Sequence, residues 1–148
     1  MRLCDILAKT DYELVFGNIT KEVKSLEYYS KNVKAESAFF VIDGHFHKGK
    51  NYIKEAIGKG ASVIVLSKKL ADSVENILLN ESLENLTVIK VEDVRKALAT
   101  MSVAFYNNPS GEMQVIGITG TKGKTSTAFM VQHILESAGN ERYKTIGL

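Results

Sequence analysis

Along the chain, apolar and polar positions alternate between two rhythms. Leu3, Ile6 and Leu7 recur at helical spacing, so a short amphipathic helix is expected from Arg2 to Lys9, ending in a turn near Thr10-Asp11. Val23 to Ser30 carries partial alternation, and Ala38-Phe39-Phe40-Val41-Ile42 is a β-rich run that stops at Asp43-Gly44, which predicts two strands around a polar connection. Ile53, Ala56 and Ile57 at i, i+3 and i+4 predict a helix from Tyr52 to Lys59, stopped by Gly60. Ser62 to Leu66 and Thr87 to Val91 read as buried strands, and between them Val74, Ile77 and Leu78 suggest a short helix. Val94, Ala97, Leu98, Met101 and Phe105 then give i, i+3, i+4, i+7 and i+11, an amphipathic helix from about Asp93 to Tyr106 with an acidic start.

Asn107-Asn108-Pro109-Ser110-Gly111 contains the only proline of the chain and follows a complete strand-helix pattern. A domain boundary is expected there, separating residues 1–107 from 108–148. Beyond it lie an apolar run, Met113 to Ile118, a glycine-rich loop, a helical pattern from Thr125 to Ala138, and a β-rich start from Tyr143 to Leu148. The expected fold class is α/β, a small mixed-sheet domain followed by the first βαβ unit of a phosphate-loop domain.

Composition narrows the function classes. The 148 residues include 19 basic and 17 acidic ones, for a net charge of +2. With no basic block in the sequence, a nucleic-acid surface is not expected. The single cysteine, Cys4, rules out an internal disulfide and reads as a small apolar residue in the first helix. No stretch approaches the ~20 consecutive apolar residues of a membrane span, and the first residues lack the apolar core of a secretory signal. A cytoplasmic location without a membrane partner is expected.

The chemistry concentrates in Gly117-Ile118-Thr119-Gly120-Thr121-Lys122-Gly123-Lys124-Thr125-Ser126. A phosphate chain needs many donors in a small space, and successive backbone N–H groups supply them where glycines let the chain bend tightly. The start of the following helix adds donors and a favourable dipole. Gly120, Thr121, Lys122, Gly123, Lys124, Thr125 and Ser126 are therefore candidates for binding ATP, with Lys124 as the catalytic point charge on the outer phosphates and the Thr125 hydroxyl as ligand to Mg²⁺. The strict phosphate-loop pattern has a glycine where this chain has Ile118, and Gly117 and Gly120 flank that position. A second candidate region, Gly44-His45-Phe46-His47-Lys48-Gly49, offers donors and a stacking face to a flat ring or a diphosphate. As a metal site its two histidines supply only two of the usual three or four ligands.

Gly120-Thr121-Lys122-Gly123-Lys124-Thr125 resembles the G-T-x-G-K-[ST] loop of the Mur ligases, ATP-dependent enzymes of peptidoglycan synthesis, and most resembles their tripeptide-synthetase (MurE) branch. Ser30-Lys31-Asn32-Val33 followed by Phe39-Phe40-Val41 is similar to the D-S-R-x-V…G-D-[LI]-F-V segment of the family's N-terminal domain, with Glu36-Ser37 in place of the usual Gly-Asp turn. The resemblance implies that Tyr28, Ser30, His45, Phe46 and His47 contact the uridine of a UDP-sugar, His45 matching the family's G-H-x-x-[DG]-G loop. It also implies an activity: joining a diamino acid, L-lysine or meso-diaminopimelate, to UDP-N-acetylmuramoyl-L-alanyl-D-glutamate through an acyl phosphate, with ATP and Mg²⁺. By the same resemblance the remaining catalytic and amino-acid-reading domains are missing, so the 148 residues by themselves are expected to be inactive. The alternatives are a MurF-type ligase adding D-alanyl-D-alanine, an unrelated phosphate-loop kinase, and a nonenzymatic uridine-nucleotide binding module.

Overall fold

The computed structural model describes residues 1–44, 48–71 and 85–138, and the chain divides into two compact units, Met1–Pro109 and Ser110–Leu148. The first unit runs α1 (Leu3–Ile6), β1 (Glu13–Phe16), β2 (Ser25–Glu27), a 3₁₀ turn (Ser30–Asn32), β3 (Ser37–Phe40), α2 (Ile53–Gly58), β4 (Ala61–Ser67), β5 (Thr87–Val91) and α3 (Val94–Phe105). The strands form one sheet in the order β1-β5-β4-β3-β2. Strands β2 to β5 are mutually parallel, with Phe39 opposite Ile64 and Val65 opposite Ile89, while β1 is antiparallel to β5. The expected mixed sheet is present, and the expected helix from Val74 to Leu78 and strand from Tyr143 to Leu148 lie outside the described residues.

Strand alternation sorts the apolar side chains onto two faces. Ala38, Phe40, Val63, Val65, Ile89 and Val91 form one core with Leu3 and Ile6 of α1 and Val94, Ala97 and Met101 of α3. Phe39, Val41, Ile64, Leu66 and Val88 form the other, against Val33 and against Ile53 and Ala56 of α2. Both sheet faces are thus covered, as parallel strands require. Phe39 and Phe40 are buried toward opposite faces, and each side chain contributes roughly 1.5–3 kcal/mol by leaving water.

The connections explain this layering. Each step β2→β3→β4→β5 moves to the next strand in the same direction, and right-handed crossovers account for Val33, α2 and Ala71, from the described parts of the three connections, packing on one face. The opposite face is left to the first and last helices, and α1 and α3 touch there.

Helix α3 ends as its sequence dictates. Asp93 is extended, and its Oδ1 accepts from Arg95 N at 2.8 Å and Lys96 N at 3.1 Å, an N-cap that satisfies two first-turn amides. At the far end Asn108 N donates to Val103 O at 2.7 Å and Asn107 N to Ala104 O at 3.3 Å, with Asn107 left-handed at φ 58°. This is a Schellman motif, and asparagine is the residue after glycine that best tolerates its left-handed position.

Several sequence expectations need correction. The helix expected from Arg2 to Lys9 is a single turn, Leu3–Ile6. Strand β1 was not expected, because Glu13–Phe16 is a sheet edge with Leu14 and Val15 exposed, and an edge strand has no buried face to impose alternation. In the second unit, the strand expected from Met113 to Ile118 has no ladder partner among the described residues, and Val115 is 71% exposed. β-rich composition supplies propensity only, and a strand exists when another strand pairs with it. What stands there is a segment outside any strand or helix, the glycine loop and a helix, α4 (Lys124–Ala138).

Candidate functional site

The candidate residues fall into one group in each unit. In the first, Tyr28 follows β2, Asp43 and Gly44 follow β3, Lys68 follows β4, and Glu92 to Arg95 follow β5. Because these four strands are parallel, all these residues share the carboxyl edge of the sheet, the edge at which open α/β sheets receive ligands.

Ser30 opens the 3₁₀ turn after β2 and is only 3% exposed. Its hydroxyl donates to Glu55 Oε2 at 2.7 Å. Lys59 Nζ donates to Glu55 Oε1 at 2.7 Å and to the Ser30 carbonyl at 3.2 Å. The lysine ammonium, and after it the serine hydroxyl, hold the Glu55 carboxyl below its ordinary range. Ser30 is therefore neither a solvent-facing turn residue nor a free hydroxyl. Beside it Tyr28 is 67% exposed, and the ammonium of Lys31 lies 6.0 Å from the centroid of the half-exposed Tyr29 ring.

His45, Phe46 and His47 lie outside the described residues. Their flanks are fixed: Gly49 N donates to Asp43 Oδ1 at 2.7 Å, and Arg95 Nη2 donates to the Asp43 carbonyl at 3.2 Å. A Cβ on Gly49 would stand 2.7 Å from Ile42 O, so only glycine allows this approach. Among the described residues no three His, Cys, Asp or Glu side chains gather as a metal site, and no helix is long and apolar enough to cross a membrane.

In the second unit the loop bends at Gly120 and Gly123, the latter left-handed at φ 78°, a conformation that costs a side-chain-bearing residue about 1–2 kcal/mol. Lys124, the first residue of α4, turns back so that Nζ donates to Gly120 O at 2.7 Å. Thr127 N donates to Gly123 O at 2.9 Å, and the preceding N–H groups at the start of a helix have no intrahelical acceptor. Thr121, Lys122, Lys124, Thr125 and Ser126 are exposed. The arrangement offers an anion successive amides, a helix start, a threonine hydroxyl and a lysine held over the loop.

Sequence reasoning missed Glu55, Lys59, Asp43 and Arg95. On an amphipathic helix, Glu55 and Lys59 look like an ordinary solvent-facing i, i+4 pair. Only the placement of Ser30 reveals their second use.

The chain is similar to ligases of known name. It is 42% identical over 139 residues to UDP-N-acetylmuramoyl-L-alanyl-D-glutamate--2,6-diaminopimelate ligase 1 of Clostridium acetobutylicum, covering 94% of this chain and 27% of that protein. It is 43% identical over 139 residues to the ligase of Clostridium botulinum bearing the same name without the number, with the same coverage. The chain thus spans about a quarter of the length of these relatives. A crystal structure of MurF from Acinetobacter baumannii shares the fold, with a TM-score of 0.67 and 20% identity over 93% of this chain and 28% of that one. The Mur ligase family, catalytic domain, matches residues 22–106, a stretch that holds β2 to β5 and most of both cores and is more than half of the sequence. The chain therefore belongs to the Mur ligase family.

Proposed function

We propose that this chain is the UDP-sugar-binding and phosphate-loop portion of an ATP-dependent ligase that joins 2,6-diaminopimelate to UDP-N-acetylmuramoyl-L-alanyl-D-glutamate in the cytoplasm. The observation that carries the reading is the Gly120–Ser126 loop, with its left-handed Gly123, its folded-back Lys124 and its open helix start. The names of the relatives, at 42% and 43% identity, support the diamino acid over other acceptors.

In this reading residues 1–107 bind the UDP-sugar and residues 108–148 begin the ATP domain. Tyr28, Ser30, His45, Phe46 and His47 serve the uridine. Mg-ATP, when bound, supplies the phosphoryl group that activates a substrate carboxylate for attack by an amine. The donor set fits such a ligand: the amides from Thr121 to Ser126 cradle phosphate oxygens, Lys124 neutralises charge on the outer ones, and the Thr125 hydroxyl holds Mg²⁺. Ligation itself belongs to a protein of the relatives' length.

Ligand-observed NMR of residues 1–148 with UDP-N-acetylmuramic acid, beside ADP-ribose as control, tests the first unit. A preference for the uridine ligand is expected, with no amide formed. Equal or absent binding of both in a folded sample overturns the uridine assignment.

A further inference from the structure

Besides Lys124, the glycine loop carries a second lysine whose side chain the reading above leaves unused. Lys122 is exposed, and among the described residues its ammonium has no hydrogen-bond or ion-pair partner. It stands between two glycines of positive φ, Gly120 at 154° and Gly123 at 78°, so the backbone turns on both sides of it. Lys122 lies two residues before Lys124. Their Cα atoms are therefore no more than about 7 Å apart, and a lysine carries its charge on a long flexible stem. Both ammonium groups can reach one phosphate chain bound at the loop.

No Asp or Glu stands in the sequence between Glu112 and Glu136, so neither lysine has a carboxylate near it along the chain. Two ammonium groups this close repel each other, and an anion shared between them removes that cost. Charge counting narrows the anion. Near neutral pH a terminal phosphate carries about two negative charges and each inner phosphate about one, so Mg²⁺ and a single lysine balance a nucleoside diphosphate but leave a triphosphate with negative charge to spare. Lys124, folded across the loop onto Gly120 O, is that single lysine. Lys122 is the cation that only the triphosphate needs.

We propose that Lys122 is a specificity-determining residue whose ammonium contacts the terminal phosphate and makes the loop prefer a nucleoside triphosphate to a diphosphate. This rests on the phosphate-loop reading above and adds to it a side chain that the loop's backbone amides do not require. The contact is lost once the terminal phosphate has been transferred, so the spent nucleotide is held less tightly than the fresh one.

The test is calorimetric titration of the 148-residue chain and of Lys122→Gln, Lys122→Arg and Lys96→Gln with Mg-ATP and with Mg-ADP, at low and at high salt, with thermal midpoints followed in parallel. Lys96 is an exposed lysine of α3, so Lys96→Gln removes the same charge from the first unit. Lys122→Gln is expected to weaken Mg-ATP binding about three- to tenfold, the worth of one exposed charge-assisted contact, while changing Mg-ADP binding less than about twofold. The salt dependence of Mg-ATP binding should become shallower in the same variant. Lys122→Arg, which keeps the charge, should keep the preference for the triphosphate, and Lys96→Gln should bind as the parent does. Losses of equal size for Mg-ATP and Mg-ADP overturn the terminal-phosphate contact, and so does a matching loss in Lys96→Gln. A folded parent chain that binds neither nucleotide overturns the phosphate-loop reading and this proposal with it, whereas a parent that binds Mg-ATP beside a Lys122→Gln variant of unchanged preference overturns the proposal alone.

Discussion

The ammonium of Lys124 donates to the carbonyl of Gly120 at 2.7 Å, four residues back, so the glycine loop carries its own cation folded across it. An incoming phosphate replaces a neutral acceptor with a charged one. Lys124→Ala is therefore expected to weaken Mg-ATP binding by ~1.5–3 kcal/mol, the range of a charge-assisted hydrogen bond. Calorimetric titration of both forms checks it, and equal affinities would remove Lys124 from the phosphate site.

Thr125 stands beside Lys124 in the first turn of α4 and is exposed. Thr125→Val keeps nearly the same volume and removes the hydroxyl. Nucleotide affinity should then lose its dependence on Mg²⁺, read by repeating the titration with and without the metal. Unchanged metal dependence would exclude the hydroxyl as a ligand.

Glu36 adopts φ 62° in the turn before β3 and pairs with Lys24. The left-handed region penalises its Cβ, and the exposed ion pair returns little. Glu36→Gly and Glu36→Ala both lose the pair, but only alanine keeps the penalty, so the glycine variant should be more stable than the alanine variant by about 1 kcal/mol. Urea unfolding of the two variants settles the order.

Asn107, at φ 58°, closes the Schellman motif after α3. Asn107→Ala should cost about 1 kcal/mol and Asn107→Gly should cost nothing or stabilise slightly. A thermal-denaturation series reads this directly, and equal midpoints for alanine and glycine would contradict it.

Glu55 has its carboxyl held below the usual carboxylate range, first by Lys59 and then by Ser30. A depressed folded value means that the unfolded chain takes up the proton first as acid is added. This contribution to stability is whole above the ordinary glutamate range and is lost as pH falls through the folded value. Glu55→Gln should flatten that part of the acid limb of stability against pH, and an unaltered limb would show that the pair does not contribute.

The parallel core was legible because buried strands need uninterrupted apolar runs. Thr87 to Val91 is a strand over the expected residues, and the helix expected from Asp93 to Tyr106 is Val94–Phe105 with Asp93 as its cap. The edge strand Glu13–Phe16 was not legible, since pairing with β5 and not an internal pattern defines it. The burial of Ser30 was hidden for a related reason: a serine's single hydroxyl says nothing of its partner until α2 is docked beside it. Glu36-Ser37, where the family pattern has Gly-Asp, did mark the left-handed position, but as a departure whose backbone cost became visible only in the fold.

One sheet face is closed by α1 and α3, the two ends of the first unit. On a ribosome the chain emerges in order, so Leu3 and Ile6 come out before the strands, and their partners Val94, Ala97 and Met101 arrive some ninety residues after them. The crossover face can assemble progressively while the other face waits with Phe40, Val65 and Ile89 uncovered. A ribosome stalled before Val94 would present this open apolar face to chaperones, and the interaction should end abruptly once α3 clears the exit tunnel.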